Sequence, residues 1–200
     1  MDRIEPRDGP VAKLLMRGGR ITYGRELDSS AVYAHHLRLT SAYLRANRAF
    51  ERCRHVPKPL CELAVLRAAT LVGCEFCIDI GSEYARRAGL RDEQLLALHE
   101  ARESGLFDAD QLLVIGVATE MTATPGEEGD GELTRRLAER FGPKGALELI
   151  HLIAWENFRA RSNLALGFGA AGFSEGKVCA IPTEPAPRSS RPAAPAAQSG

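Results

Sequence analysis

Leu60-Cys61-Glu62-Leu63-Ala64-Val65-Leu66-Arg67-Ala68-Ala69-Thr70-Leu71-Val72-Gly73-Cys74-Glu75-Phe76-Cys77 is the stretch on which the reading of the fold turns. Pro59 suits the first turn of a helix, where its missing N–H would be unpaired in any case, so a helix is expected over residues 60–72. Gly73 interrupts it. A second helix is expected over residues 74–88, with Gly89 as its C-cap. Two cysteines three apart, Cys74 and Cys77, therefore stand at a helix start. There the unpaired N–H groups and the helix dipole favour a thiolate. A thiolate attacks a peroxide or a disulfide, and a neighbouring thiol can resolve the resulting sulfenic acid into a disulfide.

Three other readings compete for the pair. It can be plain core, since free cysteine is often buried. A zinc site asks for four ligands, but no second Cys-x-x-Cys or His pair is present, and Cys53 and Cys61 have the wrong spacing for a knuckle. A thioredoxin fold would place the pair after a strand in a βαβ unit, whereas here a helix-like apolar run precedes it. Glu62 also has two readings. An acid in the first helical turn is favoured by the dipole. Alternatively it faces Cys77 across a helix pair and moves protons, as a partly buried carboxyl with a raised pKa can.

Outward from this stretch, helix signals dominate. Ser29-Ser30 can cap a helix running over residues 29–53, with Val32, Leu37, Leu44 and Phe50 among its apolar positions. Further helices are expected over residues 91–102, 108–121, 131–141 and 143–166, with Asp108 as an N-cap and a polar, acidic loop from Pro125 to Gly131. No run alternates apolar and polar residues convincingly, so the fold class is all-α. Residues 1–28 read as a partly ordered N-terminal extension in which Gly18-Gly19 and Gly24 break any long helix. Residues 29–178 form the helical domain. Residues 179–200, rich in Pro, Ala and Ser, form a tail that cannot bury enough apolar surface to order itself.

The chain has 200 residues, 44% of them hydrophobic, and its 26 Lys plus Arg balance its 26 Asp plus Glu. No basic excess argues for nucleic acid or an anionic membrane surface. No segment approaches the roughly 18 apolar residues of a membrane span, and Met1-Asp2-Arg3-Ile4-Glu5-Pro6 lacks the apolar stretch of a secretory signal. A soluble, cytoplasmic protein is expected. In that reducing setting the five cysteines (Cys53, Cys61, Cys74, Cys77, Cys179) read as buried, ligating or catalytic thiols rather than staples. Cys179 reads as a free thiol without function.

Glu62-Leu63-Ala64-Val65-Leu66-Arg67, Gly73-Cys74-Glu75-Phe76-Cys77-Ile78-Asp79 and the segment running from Ala154-Trp155-Glu156-Asn157 to Leu166-Gly167 together resemble the carboxymuconolactone decarboxylase/alkylhydroperoxidase D family. The resemblance covers residues 30–176. It implies a bundle of helical hairpins that oligomerises as trimers or hexamers, and peroxidase or thiol–disulfide chemistry with no metal or organic cofactor. By that analogy Cys77 attacks the hydroperoxide, Cys74 resolves it, Glu62 belongs to the proton relay, and a dithiol donor protein or lipoyl group returns the electrons. One departure matters. Family peroxidases carry a His one turn after the second cysteine, where this chain has Gly81. Some place a His inside the Cys-x-x-Cys, where it has Phe76. A water, or a side chain such as Asp79, Ser82 or Tyr84, would have to fill the gap. Two rival functions stay open: a decarboxylase or lactone-processing enzyme like the family's namesake, and a redox-sensing helical scaffold without turnover.

The histidines offer no obvious substitute. His35-His36 lie on the first long helix, with one expected to face solvent. His55 precedes Pro57, and His99 reads as a surface residue. His151, within Leu149-Ile150-His151-Leu152-Ile153, reads as a hydrogen-bonded core residue rather than a catalyst. Trp155, Asn157, Arg159 and Asn163 read as packing and subunit contacts.

Overall fold

A computed structural model describes residues 4–123 and 131–180. The expected acidic loop falls, but for its last residue, and the expected tail falls, but for its first two, outside the described residues. Helices α1 (Pro10–Tyr23), α2 (Asp28–Tyr33), α3 (Leu37–Phe50), α4 (Lys58–Val72), α5 (Glu75–Arg87) and α6 (Asp92–Leu96) are followed by a 3-10 turn at Ala97–Glu100, then α7 (Ala109–Ala123) and α8 (Glu132–Ala165). No strand occurs among the described residues, so the all-α expectation holds.

Helix α4 is the axis of the domain. It is apolar nearly all round, a composition that suits only a helix enclosed by others, and α5, α7 and α8 pack against it. Leu63, Ala64, Leu66, Ala68 and Ala69 are wholly buried. The alanines let neighbouring backbones approach, while Leu63 and Leu66 supply the contact area. Truncating either leucine would cost about 2–5 kcal/mol. Arg67 is the polar exception, and its guanidinium is satisfied by Thr119 Oγ1 at 2.9 Å and the Leu98 carbonyl. Gly73 ends α4 in a left-handed conformation (φ 76°), a shape glycine adopts without strain. That turn delivers Cys74 directly to the start of α5.

Three expectations need correction. The helix expected over residues 29–53 is two helices. The break comes at residues 34–36, where His36 caps α3 by accepting from Leu39 N–H, and Thr40 Oγ1 donates back to the Tyr33 and His36 carbonyls. The helix expected over 91–102 tightens into a 3-10 turn after Leu96. In the N-terminal extension, Gly18-Gly19 does not break the helix, and α1 runs through it to Tyr23 before Gly24 (φ 78°) ends it. The glycine penalty of roughly 1 kcal/mol each is outweighed by docking. Ala12 of α1 packs with Ala31 and Ala34, and a Cβ at position 19 would already touch Ser30 Oγ at 3.4 Å.

Helix α8 carries the expected break at Gly142-Pro143 as a kink: Gly142 sits at φ 70°, ψ 169° between two helical halves. The second half presents Leu149, Leu152, Ile153, Glu156, Ala160 and Asn163 to the interior, the three-and-four spacing of one helix face. Two of those six positions are polar.

Candidate active site

Cys74 is the N-cap of α5. Its backbone is extended (φ −84°, ψ 97°), and its Sγ accepts the Cys77 N–H at 3.3 Å. One turn on, Cys77 Sγ lies 2.7 Å from Cys74 Sγ, both as free thiols. The residues are 0% and 5% exposed, and of the two only Cys77 lines the adjoining cavity. The hydrogen bond between the two thiols draws the Cys74 pKa down, helped by the Cys77 N–H and Asn163 and opposed by burial. The same bond, burial and nearby Glu156 push Cys77 up. The pair thus shares one hydrogen-bonding proton, Cys74 at the helix N-terminus being the readier of the two to ionise and Cys77 the sulfur that the cavity reaches.

From α8, Asn163 Nδ2 donates to Cys77 Sγ at 3.3 Å. Two turns earlier on the same face stands Glu156, 2% exposed. Arg159 Nε and Nη2 both donate to its Oε2, leaving Oε1 buried with no hydrogen-bond partner among the described residues. Burial raises the Glu156 pKa against the pull of Arg159. Arg159 also binds Glu51 Oε1 at 2.6 Å and Asn47 Oδ1 at 2.9 Å, so one guanidinium faces two carboxyls.

The cavity holds about 340 Å³ and reaches from Cys77 and Glu156 to α1, where Leu14, Leu15 and Tyr23 form its far wall. Tyr33 and Tyr43 stack toward one another along its side, ring centres 5.2 Å apart, and Tyr43 continues to Trp155 at the same spacing. This volume suits a small organic molecule. It is far larger than hydrogen peroxide needs.

Glu62 is 7% exposed and lines the same cavity, but its partner is Lys58, one turn back on α4. Gly81 also lines the cavity, so the expected gap exists. Of the three side chains considered for it, only Tyr84 faces that space. Asp79 turns away and accepts the Ala171, Phe173 and Ser174 N–H groups, pinning the segment after α8. Ser82 accepts the Ala180 N–H and touches Cys179.

None of the five histidines lines the cavity. His35 and His36 are both exposed, and so is His151, contrary to its reading as core. Its Nδ1 bonds the Leu147 carbonyl on the outer face of α8. Arg159 and Asn163, read as packing and subunit contacts, belong to the thiol site instead. Glu156 is a site residue that motif spacing alone does not single out. The signal was present, because it occupies a core position in the apolar repeat of α8. Among the described residues, no three His, Cys, Asp or Glu side chains converge as metal ligands. No helix there is long and apolar enough to cross a membrane.

Comparison with known proteins agrees with this architecture. The sequence model of the carboxymuconolactone decarboxylase family matches residues 38–127. The uncharacterized protein YnjA of Escherichia coli K12 is 37% identical over 121 residues, 60% of this chain and 63% of that protein. The uncharacterized protein YdfG of Bacillus subtilis 168 is 26% identical over 110 residues, 55% of this chain and 75% of that protein. The chain thus spans less than two thirds of the length of YnjA. Among solved structures, the debrominase Bmp8 superposes with a TM-score of 0.72 at 19% identity, over 85% of this chain and 92% of its own. A cysteine-to-alanine variant of Bmp8 in complex with 2,3,4-tribromopyrrole gives 0.73 at 18% identity, over 86% and 94%. At that identity the likeness speaks for the fold.

Proposed function

We propose that this chain, whose residues 38–127 match the sequence model of the carboxymuconolactone decarboxylase family, is a thiol-dependent oxidoreductase that reduces a small organic hydroperoxide through Cys77 and Cys74. The observation that carries this is the placement of the Cys77 sulfur on the cavity wall, 2.7 Å from a second thiol that is itself sealed off. Cys77 gives up its thiol proton and its sulfur attacks the distal peroxide oxygen. An S–O bond forms, the O–O bond breaks, and the organic alkoxide takes that proton and leaves as the alcohol. The Cys74 thiolate then attacks the sulfenic sulfur and expels hydroxide. In sum, the dithiol monoanion and ROOH give the disulfide, ROH and hydroxide. A dithiol donor, a protein or a lipoyl group, returns two electrons and two protons. Closing the pair to the bond length of about 2.05 Å asks for little backbone motion.

Glu62 serves this reading through its charge and its ion pair with Lys58 at the cavity wall. A second reading draws on the aromatic side of the cavity, Tyr33, Tyr43 and Phe76, and on the debrominase that shares the fold. The same dithiol could reduce a halogenated aromatic, giving the arene with hydrogen in place of halogen, the halide and the disulfide.

The test is turnover by the reduced protein with dihydrolipoamide as donor, offering cumene hydroperoxide, hydrogen peroxide and a brominated pyrrole in parallel. Preference for cumene hydroperoxide, abolished by Cys77→Ser, is the expected result. Turnover of the bromopyrrole alone selects the second reading. Inertness toward all three overturns both.

A further inference from the structure

Cys77 must lose a proton to attack, and the alkoxide must gain one to leave. The thiol site has no histidine, because Gly81 stands one turn after Cys77 and none of the five histidines reaches the cavity. Glu62, the carboxylate that the sequence offers, is occupied by Lys58. Glu156 is differently placed. It lines the cavity with Cys77, it is 2% exposed, and both donors of Arg159 that reach it converge on Oε2. Oε1 is left with no hydrogen bond among the described residues. Leaving a buried carboxyl oxygen unpaired is costly, which sets this oxygen apart beside the Cys77 thiol.

We propose that Glu156 Oε1 is the group that takes the Cys77 proton and hands it to the leaving alkoxide, in the role a histidine at position 81 would otherwise fill. This rests on the thiol-oxidoreductase reading above. In the first step the S–H bond of Cys77 breaks and the O–H bond of Glu156 forms. In the second, sulfur bonds to the distal peroxide oxygen, the O–O bond breaks, and the Glu156 proton passes to the alkoxide. Glu156 ends as it began. Burial raises the carboxyl's pKa, which favours its holding a proton in transit, while Arg159, shared with Glu51, and the Cys77 thiol pull the other way. The other groups that act on it are Cys74 and Cys77 at the start of α5 and Tyr43 on α3. From α4, Lys58 and Glu62 face the cavity as a mutual pair.

The experiment compares two reactions of one thiol in the full-length protein and in Glu156→Gln. Reduction of cumene hydroperoxide needs a proton on the leaving oxygen. Alkylation by iodoacetamide releases iodide and needs none. Glu156→Gln should slow peroxide-driven disulfide formation about a hundredfold, as removal of a general acid–base typically does, and should slow alkylation, which uses only the first of the two proton transfers, much less. Equal slowing of both would mark a structural role and overturn the proposal, as would an unchanged peroxide rate. Should the parent alkylate readily yet ignore hydroperoxide, the oxidoreductase reading fails on its own. Glu156 is then judged by infrared difference spectroscopy of the parent, labelled with carbon-13 glutamate, as diamide closes the disulfide. A change in a buried carboxyl band supports the proton role, and a flat difference spectrum overturns it. That measurement also serves if Glu156→Gln does not fold.

Discussion

Asn163 Nδ2 donates to Cys77 Sγ across 3.3 Å, tying the reactive end of α5 to the last turns of α8. The amide favours the anionic form of the sulfur it touches, and its contribution lowers the pKa of both thiols. A hydrogen bond to a charged acceptor contributes about 1.5–3 kcal/mol, and one pKa unit is worth about 1.4 kcal/mol. Asn163→Ala should therefore raise the first apparent pKa of the pair by about one unit. The pH dependence of iodoacetamide alkylation reads it, and an unshifted midpoint would remove Asn163 from the site.

The pair should titrate in two widely separated steps. Cys74 is lowered in the folded protein, so its contribution to stability is present above the ordinary thiol pKa and is lost as pH falls through the lowered value. Cys77 is raised, so its contribution is present below the ordinary thiol pKa and is lost as pH rises through the raised value. Because the two are coupled, both steps belong to the pair. Alkylation of the reduced protein should half-saturate below the pH at which free cysteine does. A midpoint at or above that of free cysteine would contradict the shared-proton arrangement.

Gly145 has a spatial reason to be glycine. A Cβ there would lie 2.7 Å from Phe141 Cβ, 3.3 Å from Val56 Cγ2 and 3.4 Å from the His55 carbonyl. Helix propensity favours alanine by about 1 kcal/mol, but overpacking costs about 1–3 kcal/mol and backbone cannot step aside. Gly145→Ala should lower stability by about 1–2 kcal/mol in denaturant unfolding. A stabilised variant would show that the loop before α4 yields freely.

Much of this architecture is legible in the sequence because its signals are local. Pro59 and Gly73 bound α4, Gly73 and the cysteines mark the start of α5, and Gly142-Pro143 marks the kink of α8. Helix α1 was illegible because its Gly18-Gly19 pair is tolerated only through contact with α2 and the cavity. The break after Tyr33 rests on a histidine cap, which composition does not announce. Cys74 and Cys77 come together as their spacing implies. Glu156, Arg159 and Asn163 reach them only through the packing of α8 on α5, more than seventy residues away in sequence. A carboxylate in an apolar repeat is the trace they leave, and Glu62 shows the same trace with a different outcome, because Lys58 lies one turn away to pair with it.

Position 81 offers a direct exchange of relays. A Cβ at Gly81 would lie 3.3 Å from Leu66 Cδ1, a methyl at the end of a flexible side chain, and the position opens on the cavity. Gly81→His should change the peroxide rate of the parent less than about tenfold, below the hundredfold at which acid–base effects typically begin, because a proton carrier is already present. In the Glu156→Gln background the same substitution should recover a large part of the lost rate. Stopped-flow oxidation of the four variants measures both, and a large gain in the parent with no rescue in the background would contradict Glu156 as the relay.

The most direct measurement of the account is the covalent state of Cys74 and Cys77 after the reduced protein meets one equivalent of cumene hydroperoxide, read by peptide mapping and mass spectrometry. The account predicts a single intramolecular Cys74–Cys77 disulfide formed in step with one equivalent of cumyl alcohol, with a sulfenic acid on Cys77 trapped in Cys74→Ser. A pair that stays reduced while hydroperoxide persists, or oxidation that falls on Cys53, Cys61 or Cys179 instead, would contradict it.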